Sequence, residues 1–252
     1  MIKVSIIGSG NVATHFYNAF AESDNAKVIQ VYSRSDENLA HFKDKTNTCN
    51  RLEDLEEVDV LIIAIKDDAV NGIIEKLKNR KEVIAHTSGS MPMSNLASKN
   101  GVFYPLQTFS KDTAVDFETI PLCLEASDKE SFTVLKKLAS AISDKVFPIS
   151  SEQRKSLHLS AVFVCNFTNH LYQIGEELCK QNEVPFEILH ALITETSRKA
   201  TENSPRDVQT GPAIRNDEQT LASHLNQLTN EKYSEIYKLL TQSIQTTYGK
   251  KL

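Results

Sequence analysis

Ile2-Lys3-Val4-Ser5-Ile6-Ile7-Gly8-Ser9-Gly10-Asn11-Val12-Ala13 opens the chain and decides how the rest is read. A short apolar run meets a glycine turn, and beyond the turn the apolar spacing changes. Val12, Phe16, Ala19 and Phe20 recur at three- and four-residue intervals, the period of a helix with one apolar face. The run before the glycines is too short for a helix and has the make-up of a buried parallel strand. Strand, glycine turn, helix is the order expected over residues 2–21.

The same alternation continues outward. Residues 27–32 read as a second strand, followed by a polar, helix-like stretch over 36–43. Residues 58–65, VDVLIIAI, are the most apolar stretch and read as a central strand. Val70, Ile73, Ile74 and Leu77 then share one helical face over residues 69–78. Further strands are expected at 83–86, 121–125 and 145–148, with a helix over 128–142 and another short apolar run just before Tyr104. Strands alternating with helices imply a parallel sheet covered on both faces. Near Ser151 the pattern changes, and only helical signals remain: 152–181, 185–202, 218–228 and 231–247. The polar segment 204–216, carrying Gly211-Pro212, reads as a structured loop. The fold class expected is α/β: a Rossmann-type, mostly parallel sheet over residues 1–150 and an all-helical substrate or dimerisation domain over 151–252.

Bulk properties set bounds. The chain has 252 residues and a formal net charge of -5, which argues against nucleic acid as a partner. Cys49, Cys123, Cys165 and Cys179 are scattered, with no paired spacing that would hold zinc, so reduced thiols and a cytoplasmic location are expected. No apolar run is long enough to span a bilayer, and no leader-like segment precedes the first strand.

Gly8 to Ala13 fits G-x-G-x-x-A, set between a strand and a helix with a second strand about 20 residues on. In such a frame Gly8 permits the tight turn, Gly10 lets a pyrophosphate approach the backbone, and Ala13 lets helix and strand pack closely. Gly8, Ser9, Gly10, Asn11 and Val12 are therefore the candidate phosphate-binding residues. The alternative is a tight turn without a ligand. At the end of the second strand an acid would hold the ribose hydroxyls of NAD. This chain has Ser33-Arg34-Ser35 there instead. Hydroxyls beside a guanidinium suit a 2′-phosphate, so the cofactor expected is NADP(H). The alternative is a solvated surface arginine. Ala64, Ile65 and Lys66 leave the central strand where it would line the cofactor crevice. Asp67 beside them reads equally well as a helix cap.

Three segments together carry a family resemblance: G-S-G-N-V-A at 8–13, H-T-S-G-S at 86–90 with Y-P-L-Q-T-F at 104–109, and T-G-P-A-I-R-N-D at 210–217 with His224 beyond it. The chain resembles bacterial Rossmann-like proteins whose helical C-terminal half is a domain of unknown function. The resemblance spans nearly the whole chain. It implies kinship with pyrroline-5-carboxylate reductase, the β-hydroxyacid dehydrogenases and the deazaflavin-dependent NADP reductases. It further implies a C-terminal domain like that of 6-phosphogluconate dehydrogenase and a homodimer formed through the C-terminal helices. Relatives often carry histidine where this chain has Tyr104, so no role for that imidazole passes to this position.

Hydride transfer needs a substrate pocket and a group that moves a proton. His86, Ser88 and Gly89 follow a strand end and are candidate substrate contacts, with Gln107 on a neighbouring wall. His86 also reads as a hydrogen-bonded histidine at a strand end. Lys155, His158, Asn166 and Asn169 keep to one helical face. Of these, Lys155 or His158 is the candidate proton donor and Asn166 a substrate contact. In β-hydroxyacid dehydrogenases a lysine and an asparagine on the corresponding helix serve the substrate oxygen, but the spacing here differs. A solvated lysine and an interface histidine are the plainer readings. Arg215 is placed either against an anionic substrate or in a pair with an acid, while Asp217 is a good helix cap. No metal site stands out. The function expected is an NADP(H)-dependent oxidoreductase acting on a small polar, anionic molecule. The alternatives are a non-catalytic NADP-binding sensor or scaffold, and a reductase whose hydride partner is a second cofactor such as a deazaflavin.

Overall fold

The first strand, β1 (Ile2–Ile7), sends alternate side chains to opposite faces of a sheet. In the computed structural model, which describes residues 1–110 and 113–249, Val4 and Ile6 enter one apolar layer and Ile7 the other. The pattern repeats in β4 (Val60–Ile63) and β5 (Val83–His86): Val60, Ile62, Val83 and Ala85 enter the first layer, Leu61, Ile63 and Ile84 the second. Strands buried on both faces explain why these stretches read as unbroken apolar runs.

Helices cover both layers. Phe16 and Phe20 of α1 (Asn11–Ala21) and Leu135 and Leu138 of α4 (Lys129–Ala139) close the first. Val70, Ile74 and Leu77 of α3 (Asp67–Leu77) close the second. The remaining strands are β2 (Ala26–Tyr32), β3 (Asn47–Cys49), β6 (Asn100–Pro105), β7 (Leu122–Ala126) and β8 (Val146–Pro148). The eight strands run in the order β3-β2-β1-β4-β5-β6-β7-β8. Pairing is parallel from β3 through to β6, antiparallel between β6 and β7, and parallel between β7 and β8. The expected fold class, a mostly parallel Rossmann-type sheet with a helical C-terminal part, is the one observed. Strand order reverses between β1 and β4, and ligands of such sheets bind at the carboxyl ends of the strands beside that reversal.

Local departures have local causes. The helix read over 36–43 stops early, as α2 (Asp36–Leu39), and the chain turns so that Phe42 is buried. Strand β3 has only three residues, Asn-Thr-Cys, with no apolar run to announce it. The central strand is shorter than 58–65 because Ala64 to Lys66 leave the sheet at its carboxyl end.

The chain divides into two compact units, Met1–Phe163 and Val164–Leu252. Sequence placed the change of domain at residue 150, where the strands end. The compact sheet unit also holds α5 (Ser151–Ala161). A capping box starts this helix: Ser150 Oγ accepts from the Gln153 N–H, and Gln153 Oε1 accepts from the Ser150 N–H. Leu157 then packs against Val102, Tyr104 and Cys123. The helix passes through a π-helical turn (Val162–Phe167) into α6 (Thr168–Gln181).

The second unit holds α6, α7 (His190–Glu202), α8 (Glu218–Gln227) and α9 (Glu231–Tyr248). Asp217 caps α8 by accepting from the Thr220 N–H (3.1 Å) and hydroxyl (2.8 Å). Asn230 caps α9. Tyr237 Oη meets His224 Nδ1 at 2.8 Å, tying α9 to α8, and Tyr233 Oη donates to Glu177 on α6. Among the described residues no helix is long and apolar enough to cross a membrane.

Candidate cofactor and active site

Gly8 follows β1 with φ +131°, a backbone region that side chains rarely adopt. Its N–H donates to the Tyr32 carbonyl at 2.8 Å. A Cβ built here would lie 2.1 Å from the Ala64 carbonyl oxygen. Gly8 thus lets the ends of β1 and β4 close on each other. Gly10 is different. It is the N-cap of α1 in ordinary extended backbone (φ −81°, ψ −172°), and a Cβ built on it would meet nothing within 4 Å. No side chain caps the helix, and its first turn carries no acid. The first N–H groups of α1 have no intrahelical partner, so they and the positive dipole end suit an anion in the open space beside Gly10. Ala13 is fully buried in the layer below, where a larger residue would push α1 off the sheet.

The neighbouring strand end supplies the second part. Ser9 Oγ and Ser33 Oγ lie 3.1 Å apart, and the Ser33 N–H donates to the Cys49 carbonyl at 3.1 Å. These bonds fix Ser33 beside the glycine turn. Arg34 is exposed and makes no hydrogen bond or ion pair among the described residues. Ser35, the N-cap of α2, leaves its hydroxyl unused for capping. An open, uncapped helix start beside serine hydroxyls and a guanidinium with no ion pair among the described residues fits a dinucleotide with a phosphate on its ribose. When bound, NADP(H) supplies or accepts a hydride; the residues that would hold it are Gly8 to Val12 and Ser33 to Ser35.

Asn11 contributes backbone to this site, but its side chain does other work. Asn11 Nδ2 donates to the Phe109 carbonyl (2.9 Å), and His15 Nε2 lies 2.8 Å from the Ser110 carbonyl. The segment after β6 is thereby drawn across the start of α1. Gln107 lies on this segment, exposed, with Oε1 accepting from the Thr108 N–H at 2.8 Å.

Beyond β4, Ala64 is buried and Lys66 is exposed, its ammonium without a partner among the described residues. Lys66, not Asp67, is the N-cap of α3. Asp67 Oδ2 instead accepts from Ser88 Oγ (2.8 Å) and Ser90 Oγ (2.6 Å), so its carboxylate binds the loop after β5. Ser88 Oγ also accepts from the Met91 N–H at 3.0 Å. Its hydroxyl is therefore committed to shaping the loop.

His86, at the end of β5, is 1% exposed. Its Nδ1 accepts from the Ser88 N–H, and its Nε2 lies 3.2 Å from the Pro92 carbonyl. Burial and then the Arg154 charge push its pKa down to about 4, so the ring is neutral at pH 7 and both nitrogens are engaged. It has none left for a substrate.

Gly89 is the point of closest approach. A Cβ built on it would lie 2.6 Å from His158 Nδ1 and 2.9 Å from Tyr104 Oη. Tyr104 Oη and His158 Nδ1 are themselves 3.1 Å apart. Strand β6 thus delivers Tyr104, the loop after β5 delivers Gly89, and α5 delivers His158. Arg154, one helical turn before His158, anchors α5 from beneath. It is fully buried, with Nη1 2.5 Å from Glu125 Oε2 and Nη2 2.5 Å from the Met91 carbonyl. Lys155 is exposed, and its ammonium has no partner among the described residues.

Asn166 and Arg215 belong to the second unit, Asn166 in the π-helical turn and Arg215 in the turn before α8. Arg215 is exposed and forms no ion pair among the described residues. Sequence reading passed over Arg154, took Asp67 for a helix cap and carried no family role to Tyr104. Arg154 had a signal in its four-residue spacing from His158, but a charged residue on a polar helix reads as solvated.

Fold and site together define a nucleotide-binding protein of the Rossmann class. Residues 3–89 match the family described as NADP oxidoreductase, coenzyme F420-dependent, and residues 120–244 match a domain of unknown function, DUF2520. The crystal structure of BF3122 from Bacteroides fragilis, provisionally named an NADP oxidoreductase, is 39% identical, with a TM-score of 0.88 over 97% of this chain and 98% of that one. Protein TM1727 from Thermotoga maritima shares the fold at 20% identity, TM-score 0.73, over 98% of both chains. 1-Pyrroline-5-carboxylate reductase from Streptococcus pyogenes shares it at 14% identity, TM-score 0.61, over 97% of this chain and 98% of that one. No curated protein sequence gives a match. The chain belongs to the family of NADP oxidoreductase-like proteins that join these two domains.

Proposed function

We propose that this protein is an NADP(H)-dependent oxidoreductase that moves a hydride to or from a small polar, anionic substrate. The observation that carries the reading is the open space beside Gly10 at the uncapped start of α1, next to the unpaired Arg34. Family membership supports the same cofactor. In this reading Gly8, Ser9, Gly10, Asn11 and Val12 hold the pyrophosphate through backbone N–H groups. Ser33, Arg34 and Ser35 hold the 2′-phosphate. Ala64, Ile65 and Lys66 line the ribose and nicotinamide side.

His158 and Lys155 are the candidates to move the proton. His158 is favoured because its ring is fixed, whereas Lys155 is free in solvent. Gly89 and Gln107 offer polar contacts to the substrate. His86 and Ser88 shape the loop that carries Gly89. Asn166 and Arg215 are further candidates to bind the charged end of a substrate.

A homodimer through the C-terminal helices belongs to the same reading. Among the described residues of the second unit Ala213 and Leu221 are the buried apolar ones, while Val164, Ile188, Leu192 and Leu239 are more than half exposed. So little burial does not hold a unit of that size together; a second copy of the chain supplies the missing cover.

The test is NADPH oxidation, followed by absorbance, over a panel of cyclic imines, keto acids and, in reverse, hydroxy acids. Turnover with one class, lost in His158→Ala or Lys155→Met, supports the reading and selects the donor. Tight NADPH binding without turnover across the panel contradicts it and favours the sensor or scaffold.

A further inference from the structure

Of the polar groups gathered at the strand ends, one pair has no structural task to explain it. His86 uses both ring nitrogens on the loop, Ser88 and Ser90 are bonded to Asp67, and Arg154 is paired with Glu125. Tyr104 and His158 are bonded only to each other among the described residues. Tyr104 is 8% exposed, and its hydroxyl has no second partner there. A buried hydroxyl with one neighbour is a deliberate constraint on that neighbour.

We propose that Tyr104 is a positioning residue for His158: its hydroxyl keeps Nδ1 occupied, so that Nε2 is the only ring nitrogen able to exchange a proton with substrate. This rests on His158 being the proton-moving group of the reading above. Three observations of geometry carry it. Tyr104 Oη lies 3.1 Å from Nδ1. Gly89 has no Cβ, and one there would intrude to 2.6 Å from Nδ1 and 2.9 Å from the hydroxyl, forcing the pair apart. Arg154, one turn earlier on α5 and fully buried, anchors the stretch of helix that carries His158.

A tyrosine hydroxyl suits this task because its oxygen can accept from Nδ1–H in both states of the ring. With the ring neutral, the hydroxyl accepts from Nδ1–H and Nε2 is bare, ready to take a proton. With the ring charged, the hydroxyl still accepts from Nδ1–H and Nε2 carries the proton that moves. As the substrate carbon gains a hydride, the Nε2–H bond breaks and its electron pair stays on Nε2. The proton joins the substrate oxygen or nitrogen. The ring is left neutral with its remaining proton on Nδ1, donated to Tyr104 Oη. Oxidation of the substrate runs the same steps backwards.

Other titratable groups around the pair are Arg154 and Lys155 on α5, Cys123 and Glu125 on β7, His86 at the end of β5 and Asp67 at the start of α3. The Arg154 charge is met by Glu125. The pair therefore sits beside a compensated ion pair and a neutral His86.

The experiment uses the full chain, labelled with 15N-histidine, beside its Tyr104→Phe variant. In the wild type the His158 ring is expected as a single Nδ1–H tautomer at high pH, with that proton hydrogen-bonded to Tyr104 and Nε2 bare. Tyr104→Phe is expected to give the exchanging tautomer mixture of a free imidazole. With an active substrate from the panel, the variant should lose at least tenfold in kcat and move the His158 limb of the pH profile, while KM for NADPH stays unchanged. A wild-type ring already in tautomer exchange overturns the proposal, and that result needs neither turnover nor a folded variant. A variant with wild-type kcat and pH limb overturns it too. Absence of turnover in the wild type contradicts the oxidoreductase reading instead, and leaves the tautomer measurement to decide whether Tyr104 holds Nδ1.

Discussion

Two glycines of one turn do opposite things, and substitution separates them. Gly8→Ala places a methyl group 2.1 Å from the Ala64 carbonyl oxygen at φ +131°. We expect it to cost about 2–4 kcal/mol of stability, read by denaturant unfolding. Gly10→Ala meets no atom of the protein within 4 Å. We expect its stability to stay within about 0.5 kcal/mol of wild type, while NADPH affinity falls at least tenfold, because the methyl group occupies the ligand's space. The motif was legible from the sequence, but this division of labour was not. It depends on Ala64, more than fifty residues away. The state of His86 was equally hidden. A histidine at a strand end looks available until burial and the nearby Arg154 are seen to keep it neutral and engaged.

Among the elements, those with an apolar stripe were plain. The helix expected over 11–21 and the strand expected over 83–86 have the bounds observed. Elements fixed by tertiary contact were not. Strand β3 is three residues added to a sheet edge. The π-helical turn at Val162–Phe167 leaves no trace in residue spacing. Helix α5 was visible as a helix, but the residue that seats it was not. Arg154 breaks the usual rule for arginine by being buried, and its partner Glu125 is on a strand 29 residues earlier. Removing one member of a buried pair leaves the other charge uncompensated. Arg154→Met is therefore expected to lower stability by about 3–5 kcal/mol in a denaturant titration, and to release His158 from Tyr104. Unchanged stability would mean that α5 is held by Leu157 and its apolar neighbours alone.

For the whole molecule, the sequence yields a sheet unit that explains its own stability and a helical unit that does not. Ile188, Leu192 and Leu239 are more than half exposed among the described residues. Light scattering should give a mass about twice the 28.2 kDa of one chain, and Ile188→Asp with Leu192→Asp should lower it to a single copy or prevent folding. A wild-type mass of one chain would contradict the dimer and leave the cofactor site untouched.

That site is the central claim, and the charge at the end of β2 decides it most directly. Titration of the protein with NADPH and NADH, followed by nucleotide fluorescence, should show NADPH bound at least tenfold tighter. Arg34→Asp should reverse the order, since a carboxylate holds ribose hydroxyls and repels a 2′-phosphate. Equal affinities in the wild type, or a preference that survives Arg34→Asp, would contradict the assignment.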